Sequence, residues 1–169
     1  MQSERLFFRK AKESDAAFIL TLLNDPDWLK YIGDRKLDSI EKSKAFITAH
    51  LPDPAINEGL GMYVIEVKSN GAAIGLCGLL QRAHMPDIDI GYALLPNARG
   101  SGFAAESVRF FISQAFDKLH YARIYAIVKA DNQRSLSLIR ACGFSITPQP
   151  YPGNSFDKGC MYYMREKPV

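Results

Sequence analysis

Cysteine is sparse in this chain: Cys77, Cys142 and Cys160 are odd in number, far apart, and form no CxxC pair. That pattern excludes a disulfide framework and gives no metal-ligand spacing, so the thiols read as buried and reduced and no metal is expected. The three histidines, His50, His84 and His120, are equally scattered. No apolar run approaches the roughly 20 residues needed to cross a bilayer. The first ten residues, MQSERLFFRK, are charged where a secretory signal would be apolar. The expectation is a soluble, cytoplasmic protein with no membrane partner. An excess of one charge is missing too: 21 Lys and Arg against 18 Asp and Glu leave a net +3. That is too small to argue for nucleic acid. Repeats, low-complexity tracts and linkers are also lacking, so residues 1–169 read as one domain, monomeric or homodimeric, large enough to bury a core.

What is present is a clear alternation of periods. Leu6 to Arg9 reads as a strand, and Ser14 or Asp15 caps a helix carrying Phe18, Ile19, Leu22 and Leu23. Asn24-Asp25-Pro26 ends it, and a mixed segment with Trp28, Leu29, Tyr31 and Ile32 follows. A further helix starts at Asp38 or Ser39 and stops at Pro52 and Pro54. Met62–Val67 and Ala73–Leu80 flank Ser69-Asn70-Gly71, a strong hairpin signal, and Ile88–Leu95 supplies another strand that Pro96 ends. Helix, strand, helix and two strands then follow, at Gly102–Leu119, Ile124–Val128, Asp131–Cys142, Phe144–Thr147 and Cys160–Met164. The expected class is α+β, a mostly antiparallel sheet with helices on its faces.

Two glycines in PNARGSGFAAES, residues 96–107, stand between a strand and a helix. Glycine there permits a sharp turn and close approach to the backbone, and a helix start offers unpaired N–H groups that attract phosphate. No acidic residue follows about twenty positions later, and Gly-Lys-Ser/Thr is absent, so neither the dinucleotide fingerprint nor the phosphate loop of nucleotide hydrolases fits.

The stretch from Asp87 to Phe144, DIDIGYALLPNARGSGFAAESVRFFISQAFDKL and then YARIYAIVKADNQRSLSLIRACGF, resembles the acetyl-CoA-dependent N-acetyltransferases of the GNAT superfamily. It is most similar to the branch that includes the ribosomal-protein N-terminal acetyltransferases. The resemblance implies acetyl-CoA as co-substrate, no metal, and an acyltransferase fold of the same α+β class. It implies that Arg99, Gly100, Ser101, Gly102, Phe103 and Ala104 hold the donor's pyrophosphate, and that backbone groups of Ala93, Leu94 and Leu95 pair with its pantetheine arm. Ser107 adds a hydroxyl one turn on. Glu106 reads instead as a first-turn carboxylate favoured by the helix dipole.

Many members carry a catalytic tyrosine seven residues beyond an asparagine, but here that position is Ile139. The nearer branch has Asn-x-x-Ser, here Asn132 to Ser135. Asn132 would then bond the pantetheine arm, and Ser135 would face the thiol; both residues are also favoured helix caps. Asp89 and Glu66 are the candidate proton acceptors, or else solvated outer-face carboxylates. His84 lies near the site in sequence, while Trp28, Tyr31 and the helix to His50 fall where the family shapes its acceptor pocket. The implied partner is an amine, a protein N-terminus or a small molecule. A second reading keeps acyl-CoA binding and drops catalysis, giving a sensor or interaction module. A third is a nucleotide or flavin binder.

Overall fold

The computed structural model describes residues 1–51, 59–83, 85–150 and 158–168. Seven strands form one sheet: β1 (Leu6–Arg9), β2 (Gly61–Val67), β3 (Ala73–Leu80), β4 (Asp89–Leu94), β5 (Arg123–Lys129), β6 (Ser145–Thr147) and β7 (Cys160–Glu166). Their spatial order is β1-β2-β3-β4-β5-β7-β6, antiparallel throughout except between β4 and β5. The helices are α1 (Ala16–Leu23), α2 (Pro26–Tyr31), α3 (Ile40–His50), α4 (Phe103–Ser113) and α5 (Gln133–Ala141). This is the mixed α+β architecture expected from the alternation of periods.

Strand alternation assigns each residue to one of two helical layers. On β2, Tyr63 and Ile65 pack with α4 and α5 through Val108, Phe111, Leu136 and Ile139. Val64, between them, packs with α1–α3 through Ile19, Leu22, Trp28 and Ile47. Phe8 stacks on Phe110 at 4.5 Å and meets Phe111 edge-on at 5.1 Å, which ties β1 to α4. Close strand approach explains Gly78: a Cβ there would lie 1.9 Å from Gly61 O. The hairpin turn follows Val67, whose carbonyl accepts from the N–H of Gly71 at 2.8 Å.

Two boundary expectations change. Asp15 does not cap α1 through its side chain. A 3-10 turn at Glu13–Asp15 precedes the helix, and the carboxylate turns to Arg9 (2.8 and 2.9 Å) and to the N–H of Lys12 (2.8 Å). The mixed segment around Trp28 is a helix, α2, capped by Asp25, which accepts from the N–H of Asp27. Ser39 caps α3 as expected; Pro52 and Pro54, assigned to stop it, lie outside the described residues.

The parallel step creates the feature on which the site depends. Among the described residues β4 and β5 meet only at Asp89 opposite Tyr125, where Tyr125 N–H donates to Ile88 O at 2.9 Å. Beyond that point β4 continues to Leu94 and β5 to Lys129 without pairing, and the sheet opens. Backbone groups along such an unpaired edge need partners.

Candidate functional site

The opening between β4 and β5 is a cleft of about 690 Å³, walled by both strands, by α2 and α3 on one side and by the starts of α4 and α5 on the other. The glycine-bearing loop sits at its rim. Gly100 and Gly102 both have φ +81°, a conformation that favours glycine, and Gly102 is the cap of α4. The first intrahelical bond runs from Glu106 N–H to Gly102 O, so the amides of Phe103, Ala104 and Ala105 have no acceptor within the helix.

The loop is held from outside by the chain's first residues. Glu106 accepts from Ser3 Oγ (2.7 Å), Arg5 N–H (2.8 Å) and Arg5 Nε (2.7 Å). Arg5 Nη1 donates to Ser101 O, and its guanidinium lies over the Phe103 ring. Burial pushes the Glu106 carboxyl up, but the bonds from Arg5 and Ser3 outweigh it and hold the group below its ordinary range. Glu106 is therefore a clamp on the loop, more than a dipole partner. Ser107 points elsewhere: fully buried, its hydroxyl donates to Phe103 O at 2.8 Å, so the hydroxyl expected for the donor is spent inside the helix.

Of the residues assigned to the donor, all except Leu95, Ser101 and Ser107 line the cleft. Leu95 N–H donates to Ile74 O, toward β3. Each nitrogen of the Arg99 guanidinium donates: Nε to Leu94 O (3.0 Å), Nη2 to Asp25 (2.5 Å) and Nη1 to Asp27 (2.9 Å). It ties α2 to the loop while still lining the cleft, where the resemblance assigned it to the pyrophosphate.

At the start of α5, Asn132 Oδ1 accepts from Ser135 N–H at 3.1 Å, so the capping role is real. The Ser135 hydroxyl lies 2.6 Å from the Tyr92 hydroxyl. Ile139 is buried core and offers no proton, whereas β4 supplies a phenol from the sheet side. Burial pushes the Tyr92 pKa well up, while its bond to Ser135 pulls it partly back, so the phenol stays protonated far above neutral pH. Strand alternation puts Tyr92 on one face with Ile88 and Ile90, and the family motifs single out no role for it. That face packs against α5, and the signal was there in DIDIGY: a polar-tipped residue in an apolar row.

The two proposed proton acceptors differ in place. Asp89 is buried in the cleft wall, and both its oxygens accept from Arg82 (2.6 and 3.1 Å). So held, both its oxygens already carry charge-assisted hydrogen bonds. Glu66 is not among the residues that line the cleft; it accepts from Arg9 Nε at 2.7 Å. Trp28, Tyr31, Phe46 and His50 do line the cleft, from α2 and α3. His84 lies outside the described residues.

A family model described as an acetyltransferase (GNAT) domain matches residues 5–145. The chain belongs to the GNAT acetyltransferase family. Among relatives, the uncharacterised N-acetyltransferase p20 of Bacillus licheniformis is 30% identical over 149 residues, covering 85% of this chain and 81% of p20. The spermidine N-acetyltransferase of Vibrio cholerae, solved with CoA and spermine, superposes with a TM-score of 0.75 at 20% identity, over 97% of this chain and 96% of the other. A ribosomal-protein-S5-alanine acetyltransferase from Vibrio fischeri gives 0.75 at 18% identity, over 98% and 95%. The family expected from the two motifs is the family found, and a ribosomal-protein acetyltransferase stands among its neighbours in fold. Acetyltransferases of this family use acetyl-CoA.

Proposed function

We propose that this GNAT acetyltransferase moves the acetyl group of acetyl-CoA onto a primary amine by direct attack, with both substrates in the cleft together. The Tyr92–Ser135 hydroxyl pair carries the reading, because it places a protonated phenol and a serine at the head of α5, inside the cleft. The donor supplies an activated thioester, and the departing sulfur needs a proton or a hydrogen bond. Ser135 gives that bond, and Tyr92, protonated through neutral pH, replenishes it through the shared hydrogen bond. The amides of Phe103 to Ala105 hold the diphosphate at the helix start, where backbone donors and the helix dipole both favour an anion. Asn132 orients the pantetheine arm while capping α5. Asp89, braced by Arg82, shapes the acceptor end; the amine must shed its proton there or enter neutral. The kinship to amine acetyltransferases supports a primary amine as acceptor, a small molecule or a protein N-terminus.

The test is release of coenzyme A thiol from acetyl-CoA across a panel of small amines and N-terminal peptides. Acceptor-dependent thiol release is expected. Retention of acetyl-CoA without thiol release under any acceptor would instead favour a sensor.

A further inference from the structure

The charges lining the cleft bear on which amine enters it, an inference that rests on the transferase reading above. Among the described residues, three carboxylates line the cleft: Asp25, Asp27 and Asp89. Each already faces arginine. Asp25 holds Arg99 at 2.5 Å, Asp27 holds Arg99 at 2.9 Å and Arg134 as well, and Asp89 holds Arg82 at 2.6 Å. Asp25 and Asp89 are buried, so an incoming ammonium would have to displace a charge-assisted bond from a desolvated carboxylate. A polycation meets no open acidic seat among these residues.

Arg35 is the converse case. It stands on the connection between α2 and α3, exposed, on the wall that also carries Tyr31, Ile32 and Phe46. It has no ion pair or hydrogen bond among the described residues, unlike Arg82, Arg99 and Arg134 on the same cleft. A guanidinium is a rigid fork of N–H donors matched to a carboxylate. An unpaired one beside a cleft whose carboxylates are all taken asks for an anionic group on the ligand.

We propose that the acceptor is a small primary amine that carries a carboxylate, which Arg35 holds while the amine reaches the Tyr92–Ser135 end. The reaction is unchanged: the N–C bond forms as the C–S bond breaks, and one amine proton ends on the thiol.

The experiment measures thiol release from acetyl-CoA with free amino acids, their α-carboxamides, N-terminal peptides and spermidine, for the wild type and Arg35→Gln. The best amino acid is expected to exceed its carboxamide by about tenfold or more in kcat/KM, and Arg35→Gln to narrow that ratio to about threefold or less, with the KM for acetyl-CoA unchanged. Arg35 is exposed, so the variant should fold. Preference for spermidine, for a carboxamide or for a peptide overturns this proposal and leaves the transferase intact. So does an Arg35→Gln effect confined to the KM of acetyl-CoA, which would assign the guanidinium to the donor's phosphates. Acetyl-CoA binding by calorimetry with no thiol release from any acceptor defeats both readings.

Discussion

Ser135 and Tyr92 share one short hydrogen bond, so their effects on turnover are coupled. Ser135→Ala is expected to lower kcat by about ten- to a hundredfold, with the KM for acetyl-CoA changed by about threefold at most. Steady-state kinetics with a saturating amine check this; a parallel loss of donor affinity would reduce the serine to a binding group. Gly102 makes a different demand. Its φ of +81° suits no β-branched residue, and an added Cβ would sit 3.3 Å from Arg5 Nη2. Gly102→Val should cost about 1–2 kcal/mol of stability and raise the Kd for acetyl-CoA by about tenfold or more. Urea unfolding and calorimetry give the two numbers, and unchanged affinity would remove the loop from the donor site.

The element that holds the loop is the chain's first strand with the residues before it. Ser3 and Arg5 reach across to Glu106 on α4, and Arg9 joins β1 to Asp15 and to Glu66 on β2. Glu106 has a folded-state pKa below its unfolded value, because the Arg5 and Ser3 bonds outweigh burial. Asp15 behaves alike: burial raises it, and Arg9 with the Lys12 amide lowers it further. The sign follows from proton linkage. A depressed carboxyl contributes stability above its unfolded pKa, and that stability is lost as pH falls through the folded value. Unfolding midpoints measured from neutral pH downward should therefore fall below about pH 4. Glu106→Gln should start lower at neutral pH and lose less on acidification. A variant with the wild-type acid slope would show that the clamp is not what titrates.

At the scale of the molecule, the two helical layers grip one sheet, and the cleft opens where that sheet changes from antiparallel to parallel pairing. A ligand seated there touches β4, β5, α2, α4 and α5 at once, so its binding should stabilise the whole fold. At a hundredfold excess over Kd, acetyl-CoA is expected to add about 2.7 kcal/mol. For a chain of 169 residues that is a Tm rise of roughly 5–10 °C, read by thermal shift. A nucleotide or flavin producing the larger rise would contradict the assignment of the cleft. Also among the described residues, no helix is long and apolar enough to cross a membrane.

The sequence by itself determined the family and every strand and helix but α2 in outline. Period-2 and period-3.6 runs, the Asn-Gly turn and the glycine-rich helix start are local signals, and local backbone preference is enough to read them. It also carried Asn132 to Ser135, because capping chemistry is a matter of near neighbours. Only the tertiary structure decided the partnerships. Arg99 meets Asp25 and Asp27 from more than seventy positions away, and Tyr92 meets Ser135 across 43. Spacing along a chain fixes which face a side chain takes. What stands opposite that face depends on how the layers pack, and no local pattern encodes it.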